Sequence, residues 1–310
     1  MRRMRRVLVL LPLLVAALAG GCGTADGSAE PSRAATRSAP ALPERAPTPS
    51  PVPVEGGLVS AVPRPTPATP TGSSSAAGTS GTSGKAGSAS LVGDTRNQVV
   101  WAPLSDPSAV RSEGSVGSTK AWSTSKVLVV AAYLDTVVDG DPSRIPSTER
   151  GWIRAALTAS DGDAVVAVRE RIPGSPGAAI TSVLRSIGDT STVAPDRSQG
   201  AMSWSPREQV RFMAALAAGR VVSPEASAFL LEQMRPIPQH RWGLGTIGAS
   251  AFKGGWLTPS SETRQMGIVD GYAVAIITVG QGPAVVQTDG DAAHVEQMNR
   301  LAAILATRLR

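Results

Sequence analysis

The sequence predicts an α+β domain in which helices cover an antiparallel sheet, and it places that domain at residues 91–310. All eleven aromatic residues lie at Trp101 or later, so the large apolar side chains available for a core are confined to this part. Within it, one early strand precedes a block of helical segments, three extended segments and a closing helix. Grouped helices, rather than strict alternation of strand and helix, are typical of α+β folds.

The first 21 residues are typical of an export signal. Four arginines precede an apolar run at residues 7–18, which at about a dozen residues is too short to span a bilayer. Small residues follow and end at Cys22, the only cysteine. The stretch Leu18-Ala19-Gly20-Gly21-Cys22 resembles a bacterial lipobox, which implies a lipidated Cys22 that holds the protein on the outer face of the membrane. The alternative is an ordinary secretory signal with an incidental cysteine.

Residues 22–90 are predicted to be a disordered tether. Of the 68 residues from Gly23 to Ser90, 53 are Ala, Ser, Thr, Gly or Pro. Proline-rich segments favour extended polyproline II structure, and Gly/Ser-rich segments are flexible coils. Such a tether would hold a domain away from a membrane, within reach of cell-wall polymer.

The charge distribution argues against a nucleic-acid partner. The formal net charge is +6, but residues 91–310 carry 21 basic and 20 acidic side chains. The predicted domain is therefore almost neutral, without the basic excess that nucleic acid requires. One cysteine and two histidines also make a zinc site improbable, and we expect no metal or other cofactor.

Each predicted element has a local signal. A strand is predicted at residues 98–102, whereas the Ser/Gly stretch 112–119 has no clear period. A buried helix is predicted at 123–138 because apolar residues occupy most of its sides. Further helices are predicted to begin at Pro146-Ser147, at Ser175-Pro176 (ending at Gly188), at the capping box Ser205-Pro-Arg-Glu208 (ending at Gly219), and at Ser223-Pro224. Strands are predicted at 249–256, 263–270 and 272–279, and a helix at 291–309.

Lysine is the residue type that points to chemistry. The chain has 26 Arg and only four Lys, and only lysine can give up its proton near neutral pH and act as a base. In Ser123-Thr-Ser-Lys126, the three-residue spacing places hydroxyl and ammonium on one helix face. Amides at the helix N-terminus would stabilise an alkoxide or oxyanion there. The alternative is a serine N-cap followed by a surface lysine.

Two further motifs follow in order: Ser160-Asp161-Gly162 and Lys253-Gly254-Gly255. The set resembles S-x-x-K, S-D-N and K-T-G, the signature of the penicillin-recognising serine hydrolases, which include class A β-lactamases and D,D-peptidases. The resemblance covers residues 97–310. Three stretches are also similar to exported actinobacterial serine hydrolases related to class A β-lactamases: Leu157-Thr-Ala-Ser-Asp-Gly-Asp-Ala, Arg241-Trp-Gly and Lys253-Gly-Gly-Trp-Leu.

The resemblance implies an acyl-transfer site. Ser123 would be the nucleophile, Lys126 its base and Ser160 a proton shuttle to the leaving group. Lys253 would be an electrostatic partner for a substrate carboxylate or for Ser160. The implied oxyanion hole consists of the backbone amides of Ser123 and Trp256, the implied substrate-binding edge of Gly254 and Gly255, and Asp161 is implied to be structural. For Ser160 the alternative is a helix cap.

The sequence departs from this signature at three points. Gly162 replaces the asparagine, Gly254 replaces the threonine, and residues 172–204 contain no glutamate, only Asp189 and Asp196. General-base assistance is worth about 10²- to 10⁴-fold, so an acyl-enzyme without a positioned base should persist.

These features predict a lipid-anchored serine hydrolase acting on an ester, an amide or a peptidoglycan-like peptide. A β-lactam is a candidate ligand, but we do not expect an efficient β-lactamase. The alternative is a degenerate, non-catalytic member of the family that binds a cell-wall component or a protein partner.

Overall fold

The computed structural model describes residues 89–117, 120–256, 262–280 and 292–310, all within one compact unit, Gly78–Arg310. The predicted signal peptide, Cys22 and almost all of the predicted tether lie outside the described residues. So do Leu257 and Asp291, the last residue of the third motif stretch and the predicted first residue of the closing helix. No helix in the described ranges is long and apolar enough to cross a membrane.

Five antiparallel strands form one sheet in the order β2-β1-β5-β4-β3. They are β1 (Asn97–Pro103), β2 (Arg111–Gly114), β3 (Ala251–Trp256), β4 (Thr263–Val269) and β5 (Tyr272–Thr278). The short edge strand β2 falls partly in the stretch where the sequence showed no period. It has no buried residue, so it lacks the apolar alternation by which strands are recognised.

Seven α-helices accompany the sheet in the part of the chain that the structure describes. They are α1 (Lys126–Thr136), α2 (Ser147–Thr158), α3 (Gly162–Arg169), α4 (Pro176–Ser186), α5 (Pro206–Ala217), α6 (Pro224–Gln233) and α7 (Ala292–Arg308). The serines before α4, α5 and α6 accept a hydrogen bond from the third helical residue, and each helix has proline at its start. Helix α3 was not predicted, because eight residues are too few to show a clear period.

The two faces of the sheet bury different residues. Along β1, Val100 and Ala102 belong to the larger core cluster, which includes apolar residues of α1 to α6. Their neighbours Val99 and Trp101 belong to a second cluster that contains Met298 and other residues of α7. This alternation places the helical block on one face and α7 on the other. The predicted α+β class with an antiparallel sheet covered by helices is confirmed.

Candidate active site

Ser123 lies in a tight 3₁₀ turn, Trp122–Ser125, that runs directly into α1. The sequence predicted one helix from Ser123 onward; the structure places a turn with three residues per repeat before the α-helix. In such a turn, residues three apart lie above one another, so Ser123 and Lys126 project from the same side. Trp122 adopts a left-handed backbone conformation, with φ of 44°. Conformations of this kind are costly for a bulky residue and occur often at functional sites.

Hydroxyl groups hold the turn in place. Thr124 Oγ1 donates to the carbonyl of Ala121 and accepts from Gln209 Nε2 at 3.0 Å, and Ser125 Oγ donates to the carbonyl of Trp122 at 2.7 Å. Thr124 and Ser125 are buried, whereas Ser123 is partly exposed. Of the two serines, Ser123 is thus the more accessible to a ligand, and the hydroxyl of Ser125 is already engaged.

Strand β3 packs directly on this turn through Gly255. A Cβ atom at Gly255 would lie 2.9 Å from the oxygen of Ala121, closer than real Cβ atoms come to other atoms, and 3.1 Å from the nitrogen of Ser123, closer than most do. Only glycine therefore allows the strand end to approach the turn. The next residue, Trp256, lines the same cleft as Ser123, so the two residues predicted for the oxyanion hole lie close together.

The predicted lysines and Ser160 also come together. Lys126 Nζ donates to the backbone carbonyl of Ser160, and Lys253 Nζ donates to Ser160 Oγ at 2.7 Å and to the carbonyl of Gly254 at 2.9 Å. Ser160 has φ of 62° in the link between α2 and α3. The N-cap of α3 is Asp161, which accepts from the amide of Ala164 at 2.8 Å. Asp161 therefore caps the helix, and the Ser160 hydroxyl binds Lys253.

Burial changes the protonation of both lysines. Their exposed fractions are 8% for Lys126 and 2% for Lys253. Burial lowers the pKa of Lys126 to about 8, against the opposing effect of the Asp161 carboxylate. The pKa of Lys253 is lowered well below its usual value, first by burial and then by repulsion from Lys126. Both amines thus have a larger neutral fraction near neutral pH than a surface lysine, which a proton acceptor requires.

One predicted contact is absent. Within the described residues the Ser123 hydroxyl makes no hydrogen bond, and Lys126 binds the Ser160 carbonyl instead. A buried ammonium needs an acceptor, and the carbonyl of the strained Ser160 link supplies one. A hydrogen bond from Ser123 to Lys126 would require the lysine side chain to rotate, and hydrogen bonds at active sites are often long or poorly aligned in the absence of substrate.

The cleft beside Ser123 has a volume of about 300 Å³. Its described lining contains no carboxylate and consists of Trp122, Ser123, Ser125, Lys126, Val129, Val165, Val166, Arg169, Ser198, Gln199, Gly200 and Trp256. No three His, Cys, Asp or Glu side chains of the described residues form a group that could hold a metal ion.

The two acids of the loop that follows α4 have other partners. Asp196 accepts from Ser175 Oγ and from the amide of Gly177, and the buried Asp189 accepts from the amides of Ser191 and Thr192. Neither belongs to the cleft lining. Gln199 lines the cleft at this loop, and its amide nitrogen donates to the carbonyls of Pro195 and Asp196.

Sequence reasoning missed His240 as a neighbour of the site. Its ring lies 5.1 Å from the ring of Trp256, edge to face, and Trp242 packs on the same indole at 5.6 Å. Burial, with repulsion from Lys253, lowers the pKa of His240 to about 4, so the imidazole is neutral at neutral pH. In the sequence, this region was noticed only because Arg241-Trp-Gly is similar to a stretch in other proteins. A short irregular segment has no periodicity from which its position beside β3 could be predicted. The contribution of residues 198–200 to the cleft was missed for the same reason. That of α3 was missed because this short helix was not predicted.

No protein-family model matches the chain, and neither does any curated protein. Solved structures do match. The chromosome-encoded β-lactamase of Vibrio parahaemolyticus aligns with a TM-score of 0.53 at 18% identity, covering 69% of this chain and 94% of that one. A class A β-lactamase from Mycobacterium abscessus gives 0.52 at 16%, covering 69% and 94%. The structure of PBP-A gives 0.50 at 19%, covering 68% and 89%. The chain therefore has the fold of the class A β-lactamases and D,D-peptidase-like proteins.

Proposed function

We propose that the protein is a serine hydrolase that transfers an acyl group through Ser123, from an ester, an amide or a peptidoglycan-like peptide. The main observation in support is that two buried lysines both donate hydrogen bonds to Ser160, next to the turn that contains Ser123. Burying two amines costs folding free energy. Their hydrogen bonds to one serine offer the fold no evident stability in return, which argues against a purely structural role.

Each group has a role in one reaction. Ser123 Oγ forms a bond to the carbonyl carbon of the substrate, and its proton passes to Lys126. The C–N or C–O bond to the leaving group then breaks, and the leaving group takes its proton through the hydroxyl of Ser160, which Lys253 orients at 2.7 Å. The backbone amides of Ser123 and Trp256 stabilise the negative oxygen. Water then hydrolyses the acyl-enzyme and restores the Ser123 hydroxyl.

The second half of this reaction should be slow. No carboxylate lines the described cleft, and the loop acids Asp189 and Asp196 bind backbone and hydroxyl groups elsewhere. Without a positioned base for the attacking water, deacylation loses about 10²- to 10⁴-fold. The protein is therefore not an efficient β-lactamase in this proposal.

The location follows from the N-terminal sequence. A lipidated Cys22 and the tether of residues 22–90 would place the hydrolase outside the membrane, anchored to its outer face and near the cell wall. Wall peptides and β-lactams are the corresponding partners in this proposal. Nucleic acid is not, because the domain is almost neutral.

A second candidate is a non-catalytic protein that binds a wall component or a protein partner. The observation in its favour is that Lys126 binds the Ser160 carbonyl and not the Ser123 hydroxyl. Gly162 and Gly254 also lack the polar side chains of the signature that the motifs resemble.

Intact-mass measurement of the full mature protein after exposure to a fluorophosphonate separates the two candidates. This reagent has no carboxylate and labels activated serines. The hydrolase proposal expects one adduct per chain in the wild type and none in Ser123→Ala. An unlabelled wild-type protein with normal thermal unfolding would support the non-catalytic candidate.

A further inference from the structure

We infer that the Trp256 side chain excludes a substrate carboxylate from Lys253, so that the site selects neutral acyl donors, esters or amides without a carboxylate beside the scissile bond. The inference rests on the proposed acyl transfer at Ser123. It narrows the substrate class within that proposal, because peptides with a free carboxylate at the leaving end become poor donors.

Lys253 already has its partners. Its side chain is 2% exposed, and its ammonium donates to Ser160 Oγ at 2.7 Å and to the carbonyl of Gly254 at 2.9 Å. The centre of the Trp256 ring lies 5.9 Å from Nζ, a distance at which a cation and an aromatic face attract. These bonds leave one N–H of the ammonium, and in this inference the ring of Trp256 blocks an incoming carboxylate from reaching it.

The indole ring of Trp256 lies over Gly254, the position at which the K-T-G signature has a threonine side chain. Gly254 and Trp256 are two residues apart on β3 and so face the same side. A Cβ atom at Gly254 would lie 2.8 Å from Cζ3 of Trp256. A threonine in this place, as in K-T-G, could therefore not coexist with the ring in its present position. His240 and Trp242 pack against the ring at 5.1 and 5.6 Å and hold it there.

The remaining cleft offers apolar side chains to the acyl donor, beside the basic side chains of Lys126 and Arg169. Its walls include Trp122, Val129, Val165 and Val166. His240, which adjoins Trp256, is neutral at neutral pH because burial lowers its pKa to about 4. The one guanidinium in the described lining is that of Arg169 on α3, and a test of carboxylate binding must include it.

Benzylpenicillin and its methyl ester form a matched pair of probes, since they differ only in the carboxylate. In both, the β-lactam C–N bond breaks, the carbonyl carbon joins Ser123 Oγ, and the ring nitrogen takes the proton. The full mature protein is acylated with each, and the rate of adduct formation is followed by intact mass, with a fluorophosphonate as reference. We expect the methyl ester to acylate wild type at least about tenfold faster than the acid, the order of one charge-assisted hydrogen bond.

Trp256→Ala should reduce or reverse this preference by about tenfold or more, because it opens the space beside Lys253. The variant keeps the backbone amide of residue 256, and the ratio of two rates is insensitive to partial unfolding. Trp152→Ala is the matched control, since Trp152 is a partly buried tryptophan of α2 that does not line the cleft. It should leave the ratio unchanged.

Three results would overturn the inference while leaving Ser123 as the nucleophile. They are faster acylation by the acid than by the ester in wild type, an unchanged ratio in Trp256→Ala, or acylation by the acid that is rapid in wild type and lost in Arg169→Gln. Absence of any adduct, including that of the fluorophosphonate, would instead refute the proposed function, and the inference would fall with it.

Discussion

The ammonium of Lys253 lies 2.7 Å from the hydroxyl oxygen of Ser160, a residue 93 positions earlier in the chain. Lys253 belongs to β3 and Ser160 to the link between α2 and α3, so this hydrogen bond joins the sheet to the helical block. In the proposed reaction, it orients the hydroxyl that relays a proton between Lys126 and the leaving group. Of the two roles that the sequence left open for Lys253, this bond favours that of a partner for Ser160.

Replacing Lys253 by methionine should remove activity without unfolding the protein. Methionine has nearly the same length, and relief from burying an amine offsets the loss of its hydrogen bonds to Ser160 and Gly254. We expect acylation by a neutral chromogenic ester to fall by about 10²-fold or more, within the range of acid–base assistance, while the thermal midpoint stays within a few degrees. Lys120→Met is the control, since Lys120 is exposed and makes no contact with Ser160. Equal activity in the two variants would contradict the role of Lys253.

Acylation should depend on pH through Lys126. As a base the amine must be neutral, and its pKa is lowered to about 8 by burial. The value of kcat/KM for a neutral ester should therefore rise about tenfold per pH unit below pH 8 and level off above it. Lys126→Arg keeps the positive charge but cannot release its proton, so it should be inactive across the range. A flat wild-type profile from pH 6 to 9 would exclude Lys126 as the base.

Protein stability should also rise with pH, and this can be measured without any substrate. The pKa of Lys126 falls from 10.5 to about 8 on folding, so between these values the unfolded chain binds more protons than the folded one. The free energy of unfolding should then increase between about pH 8 and about pH 10.5. Lys126 alone contributes about 3 kcal/mol to this increase. Lys253 acts in the same direction.

Urea unfolding at pH 8 and pH 10 tests this expectation, with Lys126→Met as the comparison. The variant should gain less stability than wild type over this interval. An identical gain in the two proteins would show that Lys126 is not deprotonated by folding.

Gly255 should be essential to the site for a steric reason. Alanine there would bring a Cβ atom to 2.9 Å from the oxygen of Ala121 and 3.1 Å from the nitrogen of Ser123. We expect Gly255→Ala to destabilise the fold by about 1 to 3 kcal/mol, as overpacking does, and to reduce acylation further by moving the turn. Gly151→Ala is the matched exchange, since Gly151 lies in α2 with no atom near its would-be Cβ. It should stabilise by about 0.5 to 1 kcal/mol, measured by chemical denaturation.

The sequence predicted four of the five described strands and the helices with serine caps, because each has a local signal, but it missed β2 and α3. Ser205 with its following proline, for example, marks the start of α5 in only a few residues. The partners of Lys126 and the position of the Trp256 ring have no such signal. They depend on which way a side chain turns once β3 and the Ser123 turn are packed together. The proximity of His240 likewise arises from long-range packing between irregular segments.

The course of the reaction itself is the last prediction. If acylation uses Lys126 and Ser160 while no carboxylate of the described cleft assists water, the acyl-enzyme must accumulate. A neutral p-nitrophenyl ester should then give a burst of p-nitrophenol close to one equivalent per chain, followed by a steady rate slower by about 10²-fold or more. The burst should be absent in Ser123→Ala, and hydroxylamine, a stronger nucleophile than water, should accelerate the slow phase. A steady rate equal to the burst rate would mean that a base outside the described lining activates the water, since Asp189 and Asp196 bind other groups.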